Sequence, residues 1–109
     1  MTNANGRDIV GITLAGSEET EAVVETIRAT LPDATVIERA GYYKVERAGT
    51  LPIDLDLVSE VLGRTITREE LLVVMASYYG RIVFENRVVE LRAEIRTPSE
   101  GSEKVNAYA

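Results

Sequence analysis

The chain has 109 residues, 45% of them hydrophobic, with 18 acidic against 12 basic side chains and a net charge of −6. Cysteine and histidine are both absent. Their absence excludes disulfides, thiolate metal sites and imidazole catalysis, and the acidic balance argues against nucleic acid as a partner.

In chain order, residues 1–7 are small and polar and read as a flexible arm, with residues 8–96 as one domain. Val10, Ile12 and Leu14 alternate with Gly11 and Thr13, which is the period of a strand. Ser17 is placed to cap the helix that follows, and Glu18, Glu19 and Glu21 fall where the helix dipole favours negative charge. Val23, Val24, Ile27 and Leu31 form its apolar stripe, and Pro32 closes it. Two short strands are expected over 34–39 and 42–47, turning at Ala40-Gly41. In the second, Tyr43 and Val45 share one face, with Tyr42, Lys44 and Glu46 on the other.

An extended run, "LPIDLD", leads into a helix capped by Asp54 and stopped at Gly63. Thr67 and Glu70 make a capping box for a third helix, with Ile66 able to staple against Leu71. Its body, "LLVVMA" through Ala76, has no polar face, so it must be buried on every side or covered by something else. "SYYGR" then breaks the pattern as a turn. Strands follow over 81–85 and 88–96, split at Asn86-Arg87. Residues 97–109 are nearly devoid of apolar content and read as a flexible tail. The order is β-α-β-β-α-α-β-β, a single α+β domain with a mainly antiparallel sheet packed with three helices. No apolar run approaches a membrane span, and "MTNANGRDIV" lacks a signal peptide's apolar stretch, so the cytoplasm is the expected home.

Few residues carry chemistry. Asp54 and Asp56 are explained by capping and by the helix dipole, and the run Glu18, Glu19, Glu21 by a solvated first turn. No phosphate-cradling glycine motif occurs. Ser77 has no histidine to activate it, so a serine triad is impossible. Four tyrosines come as two adjacent pairs, Tyr42-Tyr43 and Tyr78-Tyr79. At least one ring of each pair is expected in the core, and the others are candidates for contact with a partner.

Three segments together, "AGYYKVE" (40–46), "IDLDLVSEVLGR" (53–64) and "SYYGR" (77–81), resemble the effector, or coupling, proteins of bacterial multicomponent diiron monooxygenases. These serve methane, phenol, toluene, alkene and propane oxidation, and the resemblance runs from about Val10 to Leu91. It implies an α+β fold, no catalytic residues, and no metal, flavin or other cofactor in the chain itself. It implies a diiron hydroxylase as partner, a functional link to a reductase, and no membrane or nucleic-acid partner. The implied role is to tune oxygen activation, substrate access and electron coupling. Family members meet the hydroxylase with the end of the third helix and the turn after it. Here that is Val74, Ala76, Ser77, Tyr78, Tyr79, Gly80 and Arg81, with Tyr42 on the hairpin as a further candidate. Ser77, Gly80 and Arg81 match the family's S-x-x-G-R pattern. Methane-oxidising relatives carry small hydroxylic residues where this chain has Ala76 and Tyr78, and a longer N-terminal arm than the few residues before this first strand. The resemblance therefore leans toward phenol, arene, alkene or small-alkane systems. The alternative from the residues alone is a small-ligand sensor domain of α+β type.

Overall fold

The structure is a computed structural model that describes residues 8–93. The expected arms at 1–7 and 97–109, and the last three residues of the expected domain, lie outside the described residues. Among the described residues, seven strands and three helices follow one another as β1 (Ile9–Ala15), α1 (Glu18–Thr30), β2 (Thr35–Arg39), β3 (Tyr42–Ala48), β4 (Thr50–Asp54), α2 (Leu55–Leu62), α3 (Arg68–Val74), β5 (Met75–Tyr79), β6 (Arg81–Glu85) and β7 (Val88–Arg92). The α+β class and the antiparallel pairing are as the sequence predicts. The strands divide into a four-stranded sheet, β2-β3-β1-β5, and a three-stranded sheet, β4-β7-β6, every neighbouring pair antiparallel.

The helix starts are those the caps predict. Ser17 accepts from the Thr20 amide, and Asp54 from the amides of Asp56 and Leu57. Thr67 and Glu70 form the reciprocal capping box. Each satisfies amides that the first turn leaves without a partner. Gly63 ends α2 in the left-handed conformation.

Two strands were not expected. The extended run at "LPIDLD" is, through Asp54, part of β4, which pairs along its length with β7. Pro52 is tolerated there because β4 lies at a sheet edge, where a missing amide donor costs no ladder bond. The third helix does not reach Ala76: it stops at Val74, and Met75–Tyr79 pair with β1 as a strand rather than forming a turn. The two tyrosines suit a strand, and β1 offers an unpaired edge that satisfies the backbone groups of Met75–Tyr79. The last strand ends at Arg92, although the Ala93 amide still donates to Gly49 O at 2.8 Å.

One core joins the layers. Val10, Ile12, Leu14, Tyr43 and Val45 line the inner face of the larger sheet under Val23, Val24 and Ile27 of α1. Leu51, Ile53, Val89 and Leu91 line the smaller sheet with Leu55 and Val58 of α2 and Leu71 and Val74 of α3. The Tyr43 ring is buried, and its hydroxyl donates to Glu21 Oε2 at 3.0 Å, tying α1 to the sheet.

Candidate functional site

The segment 72–81 is where the fold leaves the most apolar surface bare. Within α3, Leu71 and Val74 are buried, but Leu72 stands open and Val73 is 83% exposed. The helix with no polar face therefore covers the core with one side and leaves the other uncovered. The chain then runs straight into β5, which forms an outer edge of the four-stranded sheet. An edge strand offers unpaired backbone groups to whatever lies beside it.

The register fixes where each candidate side chain goes. Ser77 lies opposite Thr13, Tyr78 opposite Ile12 and Tyr79 opposite Gly11, while Met75 lies opposite Leu14. The slip between Thr13 and Leu14 makes Ala76 the extra residue of a bulge, a device that re-aims the side chains beyond it. Because strand neighbours alternate, Tyr78 shares the inner face with Ile12. It lies at the sheet's margin and is 47% exposed. Tyr79 and Ser77 share the outer face, with Tyr42, Lys44 and Glu46 of β3 on that same face across β1.

The Tyr79 ring lies across Gly11, and its hydroxyl donates to Glu46. Lys44 Nζ stands 5.9 Å from the ring centroid and 3.6 Å from Glu46 Oε2. Desolvation first, then the hydrogen bond and the negative charge of Glu46, push the Tyr79 phenol up to about 12. The ring is still 39% exposed.

The structure brings Ala76, Ser77, Tyr78 and Tyr79 to the β5 edge with Gly80 at its end, while Tyr42 lies on β3, opposite Ala15 and two strands in from that edge, and Arg81 belongs to the other sheet. Val74 is in the core and cannot present itself at a surface. Neither ring of the Tyr78-Tyr79 pair is buried, contrary to the expectation of one core ring per pair; the Tyr42-Tyr43 pair does divide that way. Tyr78 misses the core because β5 is a margin strand with no strand outside it to complete the cover, and Tyr79 misses it because it lies on the outer face. Gly80, at φ +116°, turns the chain from one sheet to the other, and a Cβ there would meet Val10 Cγ1 at 2.8 Å. Arg81 begins β6, exposed and opposite Arg92, whose guanidinium is held 3.1 Å from Glu90. Gly11, Lys44 and Glu46 were not singled out by the sequence. The available signal was a glycine interrupting "IVGITL", since glycine inside a strand often marks a close approach. Among the described residues, no group of three or more carboxylates comes together as a metal site. No described helix is long and apolar enough to cross a membrane.

Fold and edge together define an antiparallel α+β domain that displays tyrosines on the margin of its larger sheet. A sequence model of the MmoB/DmpM family matches residues 8–92, and the chain belongs to that family. It is 34% identical over 80 residues to methane monooxygenase regulatory protein B of Methylococcus capsulatus (Bath), a match taking in 68% of this chain. The match spans 57% of that relative's length. The solved structure of soluble methane monooxygenase regulatory protein B is similar at a TM-score of 0.67 and 28% identity, over 88% of this chain and 72% of that one. A chain in a phenol hydroxylase–regulatory protein complex reaches 0.71 at 20% identity, over 79% of this chain and 99% of that one, a likeness of fold.

Proposed function

We propose that this chain is the regulatory component of a multicomponent monooxygenase. It carries no catalytic residue and no cofactor of its own, binds the diiron hydroxylase, and tunes oxygen activation, substrate access and electron coupling from the reductase. The working unit is residues 8–96, with 1–7 and 97–109 as arms, and the setting is the cytoplasm. The observation that carries this reading is family membership across nearly all of the described residues; the exposure of Leu72, Val73, Tyr78 and Tyr79 supports the docking segment that the resemblance implies.

The docking surface is the edge built by Ala76, Ser77, Tyr78, Tyr79, Gly80 and Arg81, extended by Leu72 and Val73 and by Tyr42 on the outer sheet face. Exposed apolar patches rimmed by polar groups mark interaction sites. Tyrosine contributes large area at small entropic loss, and a buried aromatic anchor is commonly worth about 2 kcal/mol or more. With a net charge of −6, the chain suits a partner that offers a basic rim.

The test is titration of the purified chain into hydroxylase and reductase, following product formed and reductant consumed. A saturable change in both turnover and coupling is expected, from a protein that is colourless and inert alone. Stoichiometric iron or flavin retained by the chain after chelation, or turnover indifferent to its addition, overturns the reading.

A further inference from the structure

We infer that Gly11 and Glu46 are positioning residues that hold the Tyr79 ring flat and ready for docking. The inference rests on the docking edge proposed above and adds a device that presets it. Glu46, Gly11 and Tyr79 occupy one row across three adjacent strands, with Gly11 in the middle. Neighbouring strands are about 4.8 Å apart, so residues at the two ends of the row are separated by roughly twice that. A tyrosine side chain can bridge such a gap only by lying down over a position that has no side chain. Gly11 is that position: a Cβ there would overlap the ring carbons and the hydroxyl of Tyr79. Gly11 is consequently buried although it lies on the outer face, roofed by the ring.

Glu46 fixes the far end of the ring by accepting from its hydroxyl, and Lys44 holds Glu46 from the same strand. On the other side, Gly80 is seated against Val10, so the backbone that carries Tyr79 is pinned as well. Glycine in a strand interior weakens the strand, since it has more backbone freedom to lose and no side chain to pack. The roofing ring gives that cost a use. A side chain already in its bound rotamer loses less entropy on association, which is the general advantage of preorganisation.

The experiment compares Gly11→Ala, Glu46→Ala and Glu46→Gln, each alone and with Tyr79→Ala. In the free protein, tyrosine-labelled NMR should show contacts between the Tyr79 ring and the Gly11 Hα protons that disappear in Gly11→Ala. Affinity for the diiron hydroxylase, measured calorimetrically, should fall on the order of threefold to tenfold in Gly11→Ala and Glu46→Ala, the scale of immobilising one more side chain. Glu46→Gln keeps an acceptor and should stay within about twofold of wild type. On a Tyr79→Ala background neither change should matter further, because the ring they position is gone. Losses that add to that of Tyr79→Ala, or ring contacts that persist in Gly11→Ala, overturn the positioning role. Should Gly11→Ala fail to fold, the Glu46 pair decides alone. Wild-type protein that does not bind the hydroxylase overturns the docking reading itself. That differs from wild-type binding with Gly11→Ala and Glu46→Ala at full strength, which overturns only the positioning role.

Discussion

Tyr78 and Tyr79 are neighbours in sequence but different objects in space. Tyr79 lies against the outer face with its hydroxyl occupied by Glu46, whereas Tyr78 lies on the inner face at the margin, half open to solvent. Replacing either with alanine should test the edge, and at least one should weaken hydroxylase affinity by roughly tenfold, about 1.4 kcal/mol. Stability should separate the two: Tyr79→Ala strips the roof from Gly11 and should lower Tm more than Tyr78→Ala. Calorimetric affinity and thermal melts of both variants provide the check, and full-strength binding by both moves the interface elsewhere, to the Tyr42 face first. Tyr79 also carries a pH signature. Its phenol is raised from an ordinary 10.0 to about 12, so the folded state favours the neutral form. That contribution is fully present below the unfolded value and is lost as pH rises through the folded one. The Tyr43 phenol is raised as well, chiefly by its hydrogen bond to Glu21, so spectrophotometric titration should find two late tyrosines, of which the one near pH 12 should move down in Glu46→Gln. No downward movement would show that Glu46 is not its partner.

At the level of elements, what was legible in the sequence was local. Ser17, Asp54 and the Thr67–Glu70 box were readable because a cap is decided by a side chain and amides two or three residues away. The α3–β5 boundary was not readable, because "LLVVMASYY" is apolar at both helical and strand periods. Its outcome is set by β1, more than sixty residues earlier in the chain. The same holds for β4, whose strand character depends on β7. The edge itself was legible only through family resemblance, since no periodicity announces that Tyr78 will lie at a margin. Arg87, in the β6–β7 hairpin, shows how such non-local choices are locked. Its Nε donates to Asp56 at 2.9 Å, its guanidinium reaches Ser59 Oγ at 3.3 Å, and its carbonyl accepts from the Leu55 amide at 2.8 Å. The hairpin thereby grips the first turn of α2. Thr67→Ala should cost about 1 kcal/mol by urea unfolding, the ordinary worth of a cap. Arg87→Ala should cost less, since its side-chain bonds are exposed or half-exposed while the carbonyl contact survives. A larger loss at Arg87 than at Thr67 would mean that the hairpin grip, and not the local cap, holds the helical layer.

For the whole molecule, acid is the condition that tests how its layers are tied. Glu19 sits in the first turn of α1, and Arg64 joins it to the connection between α2 and α3. Asp33, in the loop after α1, is bound by Arg47 of β3 at 2.9 Å. Both carboxyls are held below their usual range, Glu19 by a backbone amide first and by Arg64 next, Asp33 chiefly by the Arg47 hydrogen bond. A carboxyl whose folded value is depressed stabilises the fold above its unfolded value and loses that contribution as pH falls through the folded one. The ordinary values are 4.5 for Glu19 and 3.8 for Asp33, so their contribution should be constant at neutral pH and begin to fail below about 4.5. Both groups lie at the surface, so the effect should be modest and should shrink with added salt. The measurement is the urea midpoint from pH 7 to pH 3 for wild type, Arg64→Ala and Arg47→Ala. Each variant should begin lower at neutral pH and decline less steeply in acid, because a carboxyl without its guanidinium titrates closer to its unfolded value. Arg47→Ala should show the larger drop at neutral pH, since Arg47 also donates to the Thr50 carbonyl at 2.6 Å across the junction of the two sheets. Acid limbs parallel to wild type in both variants would show that these pairs do not tie the layers, and would assign the acid sensitivity to the remaining carboxylates.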